Sequence, residues 1–308
     1  MTYKIAVVGA GGVGGYFGGK LAAAGVDITF VARGRTLEAL RTRGLRVDSI
    51  DGNFAVERVN ATDRPTQPVD AVLMTVKAWQ IPEAAAQIKP IVGHDTIVVP
   101  LENGVDAPEQ LATVLDRRNI GGGLCTIISF VVEPGVIKHA GAAPFIMFGE
   151  LDNRVTPRVE RLRDALRGAG VNAEIAEDIQ KSMWSKFVFI APMSGIGAIT
   201  RVPAGVWRAI PETRELAERA TAEVVAVAAG RGVHLEDLVA RTMQRFDKLP
   251  PDATASLQRD VMSGKPSELE AQLGAAVRLG RESGVATPVL ETLYRALLPQ
   301  ERTARGQT

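Results

Sequence analysis

The chain has 308 residues, 46% of them hydrophobic and 23% charged, which is long for one domain and comfortable for two. A net charge of +1 provides no overall field to recruit nucleic acid or an anionic membrane. A single cysteine, Cys125, excludes an internal disulfide framework, and His94, His139 and His234 show no metal-ligand spacing, so no metal site is expected.

The first element is an apolar strand, Ile5–Val8, that runs directly into Gly9-Ala10-Gly11-Gly12-Val13-Gly14. Phe17, Leu21 and Ala24 then recur at helical spacing, Gly25 closes the helix, and a second strand follows at Ile28–Val31. Strand, glycine turn, helix and strand form the context in which G-x-G-x-x-G marks a dinucleotide site. Gly9 permits the tight turn, Gly11 lets backbone approach a pyrophosphate, and Gly14 allows close helix–strand packing. The free N–H groups at the helix start would hold the phosphates. The alternative is a glycine-rich turn with no ligand. A signal peptide's basic stretch and cleavage site are missing before the glycine turn, and no apolar stretch is regular enough to span a bilayer, so a cytoplasmic location is expected.

The second strand ends Val31-Ala32-Arg33-Gly34-Arg35, with no acid before Glu38. An acid at this point bonds the ribose 2′-hydroxyl of NAD, whereas an arginine pairs with a 2′-phosphate. The reading is NADP(H), with Arg33 and Arg35 as solvated loop charges the alternative. Further strand-like runs lie at Ala71–Val76, Ile97–Leu101, Leu124–Val132 and Phe145–Phe148, with helical segments at Thr36–Arg43, Ile81–Ile88 and Pro108–Leu115. This alternation predicts a parallel sheet covered by helices, with closely spaced strands near Val136–His139 and Phe145–Phe148 as antiparallel edges. Ligands in such sheets lie beyond the carboxyl ends of the strands. Lys77 follows one strand end and can reach a phosphate or carboxylate. Asn103 follows another and offers a donor and an acceptor. Each is otherwise a turn residue. Cys125, in an apolar run, reads as a core thiol.

From about Glu177 the pattern is helical: Asp178–Thr200, Glu212–Arg231, Leu235–Phe246, Ser267–Ser283 and Val289–Leu298, punctuated by Pro203, Pro211, Gly232, Pro250-Pro251, Gly264 and Pro288. Residues 1–177 are therefore expected to form an α/β Rossmann-type nucleotide domain and residues 178–308 an all-α domain. The latter has enough apolar surface to support a homodimer. Lys186 opens an apolar run with no further charge until Arg201. It either snorkels to solvent or, with a lowered pKa at a cleft, donates a proton. Pro192 and Gly195 are expected to kink this helix. Ser267 and Glu270 read as a capping box, which leaves Glu268 free of a structural task and available to orient Lys186. Arg302 to Thr308 read as a frayed tail.

At these residues the chain resembles the ketopantoate reductase (2-dehydropantoate 2-reductase, ApbA/PanE) family. The match comprises Gly9 to Gly14, Arg33, Val76-Lys77-Ala78-Trp79-Gln80, Glu102-Asn103-Gly104, Trp184-Ser185-Lys186, and Ser256 through Glu268. The resemblance implies a helical domain of the 6-phosphogluconate dehydrogenase C-terminal type and NADPH-dependent reduction of ketopantoate to pantoate, toward pantothenate and coenzyme A. It implies Lys186 as proton donor and Glu268 as its orienting partner. Asn103 and Ser256 would bind substrate, while Gly9, Ala10, Gly11, Gly12, Val13, Gly14, Arg33, Lys77 and Asn103 would bind cofactor. The family pattern has asparagines four and eight residues beyond the lysine, where this chain has Ile190 and Ser194. Ser194 can still bond a substrate but Ile190 cannot, so a more apolar 2-keto acid is an alternative substrate. An NADPH-binding sensor without turnover is the alternative from another class.

Overall fold

The computed structural model describes residues 3–307. The chain divides into two compact units, one of residues 1–102 and 107–179, the other of residues 103–106 and 180–308.

In the first unit the elements run β1 (Lys4–Val8), α1 (Gly12–Ala23), β2 (Asp27–Val31), α2 (Gly34–Arg43), β3 (Leu45–Ser49), β4 (Phe54–Val56), β5 (Asn60–Thr62), β6 (Val69–Met74), α3 (Ile81–Ile88), β7 (Val92–Pro100), α4 (Ala107–Ala112), β8 (Gly121–Glu133), β9 (Val136–Glu150), α5 (Pro157–Gly168) and β10 (Asn172–Ile175). Five strands form a parallel sheet in the order β5-β2-β1-β6-β7. Ile5 to Val8 are buried, which explains why β1 is apolar without alternation. The chain builds outward from β1 through β2 on one side and through β6 on the other. The strand order thus reverses at β1, the strand that carries the glycine turn, which is where ligands bind in open α/β sheets.

The runs expected as two antiparallel edges, Val136–His139 and Phe145–Phe148, are instead one long strand, β9, of a separate second sheet, β10-β9-β3-β4, in which β9 is parallel to β3 and β10 and antiparallel only to β8. Its short strands β3 and β4 were not anticipated. They are held by non-local pairing, β3 running parallel to β9 with Arg46 opposite Val136. Helix α1 packs against β1 and β2 of the first sheet and against β3, β4, β8 and β9 of the second. This double contact accounts for its glycines. A Cβ on Gly14 would come within 2.0 Å of the Gly9 carbonyl oxygen, and one on Gly12 within 2.5 Å of that of Ser129. Cys125 is buried in the core, as read.

The second unit is helical: α6 (Ile179–Thr200), α7 (Ala204–Trp207), α8 (Pro211–Gly230), α9 (Leu238–Asp247), α10 (Ser256–Met262), a π-helical turn Glu270–Gly274 that continues into α11 (Ala275–Glu282), and α12 (Pro288–Ala304). Helix α6 remains one element through Pro192, and Ala191 to Ala198 are all buried. Phe246 lies between Trp207 and Phe189, at ring-centroid distances of 5.3 and 5.2 Å.

Two local expectations fail here. Ser267 does not form a capping box with Glu270. Its N–H and hydroxyl both donate to the buried Glu301, the hydroxyl at 2.6 Å, while Glu270 accepts a 2.6 Å bond from the Tyr294 hydroxyl. The tail from Arg302 is not frayed at its start, because α12 extends to Ala304 and Arg305 donates to Glu301 and to the Ser267 carbonyl. Thr308 lies outside the described residues.

Candidate active site

At the carboxyl end of β1 the backbone turns through Gly9, with φ +97°, a conformation that disfavours any side chain. The Thr75 hydroxyl, at the end of β6, lies 2.6 Å from the Gly9 carbonyl oxygen and 2.9 Å from that of Val8, and so pins the turn. The first intrahelical bond of α1 runs from the Gly15 N–H to the Gly11 carbonyl. The N–H groups of Gly12, Val13 and Gly14 therefore precede any intrahelical acceptor, and no side chain caps them. Nothing lies within 4 Å of where a Gly11 Cβ would stand. An open, uncapped helix start with a positive dipole end fits a dinucleotide pyrophosphate.

Beside this turn lies a pocket of about 170 Å³ lined by Gly9, Ala10, Arg33, Thr36, Gln80 and Glu83, among others. Arg33 forms an ion pair with Glu83 of α3. Sequence reasoning passed over both Glu83 and Thr75. The signal for each was its position, Thr75 at a strand end and Glu83 in the first turn of the next helix. Lys77 is half-buried with its ammonium 5.8 Å from the Trp79 ring centroid and does not line this pocket.

The remaining candidates lie in the helical unit. Lys186 is half-buried on α6. Glu268, 6% exposed, lies two residues before the π-helical segment, a feature common at functional sites. The Asn103 loop belongs to this unit as well: a Cβ on Gly104 would sit 3.3 Å from the Ala271 carbonyl oxygen, and Asp106 pairs with Arg278 at 2.6 Å. Helix α6 packs on the π-helical segment where a Gly195 Cβ would meet Leu273 at 3.1 Å. It packs on α10 where a Gly197 Cβ would meet Gln258. The Asn103 loop, the Glu268 turn, α6 and the helix that starts at Ser256 are thus interlocked. Ile190 stands one turn beyond Lys186 and is half-buried. Ser194 is fully buried, and its hydroxyl has no hydrogen-bond partner among the described residues, so it meets no open surface in this conformation.

A larger cavity of about 970 Å³ opens at the amino ends of β6 and β7, away from the glycine turn. Its charges are internally matched: Glu150 accepts bonds from Thr156 and from two nitrogens of Arg158. Burial by itself would depress the Arg158 guanidinium, but the bond to Glu150 outweighs it and raises the pKa. Among the described residues no group of His, Cys, Asp or Glu is arranged to hold a metal ion, and no helix is long and apolar enough to cross a membrane.

A parallel sheet whose strand order reverses at an uncapped glycine turn, together with a helical unit carrying a half-buried lysine and a buried carboxylate, fits the class of dinucleotide-dependent oxidoreductases. The models described as "Ketopantoate reductase PanE/ApbA" and its C-terminal counterpart match residues 5–153 and 178–301. The chain is 32% identical over 295 residues to the uncharacterized oxidoreductase YkpB of Bacillus subtilis (strain 168), covering 96% of this chain and 97% of that protein. It is also 32% identical over 301 residues to the 2-dehydropantoate 2-reductase of Nostoc sp. (strain PCC 7120), covering 96% and 94%. The crystal structure of 2-dehydropantoate 2-reductase from Geobacter metallireducens GS-15 superimposes with a TM-score of 0.88 at 32% identity, covering 96% of this chain and 99% of that one. The chain belongs to the ketopantoate reductase PanE/ApbA family.

Proposed function

We propose that this protein reduces the keto group of 2-dehydropantoate to give (R)-pantoate with NADPH, on the route to pantothenate and coenzyme A. In this reading residues 1–177 hold the cofactor and residues 178–308 the substrate and catalytic groups. The observation that carries it is Lys186, a half-buried ammonium at the start of an apolar helix, in the same compact unit as the buried Glu268 and the Asn103 loop. Relatives named for the same reaction match along nearly the whole chain. The absence of an acid between Val31 and Glu38, with Arg33 in the adjacent pocket, supports NADP(H) over NAD(H).

When bound, the cofactor supplies the hydride. The chain must then neutralise the negative charge that develops on the keto oxygen. Lys186 Nζ donates a proton there, and a fixed cation at that oxygen stabilises the transition state more than the ground state. Glu268 is a positioning residue whose carboxylate directs the ammonium. Asn103 and Ser256 hydrogen-bond the substrate's hydroxyl and carboxylate, whereas the buried Ser194 hydroxyl reaches no substrate in this conformation. The turn from Gly9 to Gly14, through Ala10, Gly11, Gly12 and Val13, holds the pyrophosphate. Arg33 and Lys77 serve the phosphorylated ribose, with Asn103 also facing the cofactor.

Lys186→Ala is expected to lower kcat by roughly 10²- to 10⁴-fold, the usual range for losing a general acid. NADPH affinity should stay within about twofold, since a proton donor contributes little to ground-state cofactor binding. Turnover near the wild-type rate would overturn the assignment. A second reading rests on Ile190, an apolar side chain one turn from Lys186, which favours a bulkier, more apolar 2-keto acid. NADPH oxidation with 2-dehydropantoate and with branched and aromatic 2-keto acids separates the two.

A further inference from the structure

The ribose end of the candidate cofactor site contains an acid that comes from outside the strand where such acids usually sit. Glu83 reaches from the first turn of α3 to accept a hydrogen bond from the Arg33 guanidinium, 50 residues away in sequence. Both side chains stay open to solvent, at 58% and 66% exposure, so a ligand can reach either one. They line the same pocket as Gly9 and Ala10, next to the turn that receives the pyrophosphate. The residue ending the second strand reads the ribose 2′ position in this architecture.

We propose that Glu83 is the specificity residue that sets the ratio of NADPH to NADH affinity, by competing with a 2′-phosphate for Arg33. This rests on the reading of Arg33 as a 2′-phosphate ligand. With no cofactor bound, the Glu83 carboxylate takes Arg33 Nη1, one of the guanidinium donors that a phosphate needs. A 2′-phosphate must displace it, and the released carboxylate remains close enough to repel the incoming dianion. NADH has a hydroxyl at that position and meets neither cost. Its 2′-hydroxyl can instead donate to Glu83, the task an acid at the end of the second strand performs in NAD-preferring sites. An exposed ion pair is weak, so it attenuates NADPH binding without blocking it. Displacement and repulsion together should weaken NADPH binding on the order of tenfold.

The test measures dissociation constants of the full chain for NADPH and NADH, and for 2′,5′-ADP and 5′-AMP as probes of the ribose subsite alone. The proteins compared are wild type, Glu83→Gln, Arg33→Gln and the double variant, each checked for an unchanged melting temperature. The proposal expects Glu83→Gln to tighten NADPH and 2′,5′-ADP about tenfold and to leave NADH and 5′-AMP unchanged or slightly weaker. The gain should vanish when Arg33 is also replaced. If Glu83→Gln alters no affinity while Arg33→Gln still abolishes the preference for 2′-phosphate, the Glu83 proposal falls and the NADP(H) reading stands. Should wild type show no preference for 2′-phosphate and Arg33→Gln change nothing, both fall together.

Discussion

Ser267 and Glu301, 34 residues apart, form a buried clamp directly before Glu268. The Ser267 hydroxyl donates to Glu301 Oε2 at 2.6 Å, its N–H donates to the same carboxylate, and Arg305 donates to Glu301 from the other side. Ser267 is 0% exposed and Glu301 6%. Glu301→Ala would leave a buried N–H, a hydroxyl and part of a guanidinium without their acceptor. It is expected to destabilise the helical unit by about 2–3 kcal/mol, somewhat below a fully buried pair because Arg305 is partly solvated. A chemical-denaturation midpoint unchanged from wild type would show that the clamp contributes nothing to stability.

That clamp also shows where sequence reasoning stops. Ser267-x-x-Glu270 fits the capping-box spacing, but Glu301 supplies a stronger, charged acceptor from a helix that a local pattern cannot bring near. The same interaction holds α12 to Ala304 where polar composition suggested fraying. Strongly periodic elements were legible: α6 begins at Ile179 and ends at Thr200 against an expected 178–200, because an apolar run of that length has one stable solution. The second sheet was not legible, since β3 and β4 are short and their pairing is non-local. A signal existed in α1, where glycines beyond the motif, each costing about 1 kcal/mol in a helix interior, imply close contact on a second face. Among the candidate site residues, position in the chain singled out Lys186 and Asn103 for inspection, whereas Glu268 was singled out by a capping box that the structure does not form. Glu83 and the Asp106–Arg278 tie required coordinates, because each joins charges far apart in sequence.

Alkaline pH should weaken the helical unit through Tyr294. Burial first, then its bond to Glu270 and that residue's charge, push the Tyr294 hydroxyl up to about 12. The phenol is neutral when protonated, so the raised value contributes stability that is fully present below the unfolded pKa near 10. That contribution is lost as the pH rises from there through about 12. Glu270→Gln removes the charge but not the burial, so the tyrosinate absorbance of Tyr294 should move partway back toward 10. An unmoved midpoint would show that burial acts alone. Tyr3→Phe and Tyr16→Phe in both proteins isolate the signal, since those two phenols are also raised, each by burial first.

Gly11 and Gly14 lie three residues apart in one motif yet should fail in different ways. A Cβ on Gly14 would lie 2.0 Å from the Gly9 carbonyl oxygen and 2.3 Å from the Thr75 hydroxyl, far inside any contact that backbone can relieve locally. Gly14→Ala must therefore push α1 away from β1 and from the pinned turn. It is expected to cost about 2–4 kcal/mol of stability, in the range for overpacking a dense core, and to abolish cofactor binding as a consequence. A Cβ on Gly11 would meet nothing within 4 Å, and Gly11 has an extended backbone that any residue adopts. Gly11→Ala should thus fold with a melting temperature close to wild type. Its methyl group would project into the space the pyrophosphate needs, and the cofactor dissociation constant should rise at least tenfold. If the turn is a phosphate cradle, cofactor titration shows weakened binding in both variants, while thermal melting separates a destabilised Gly14→Ala from a stable Gly11→Ala. A Gly11→Ala protein that binds cofactor as tightly as wild type would place the phosphates elsewhere.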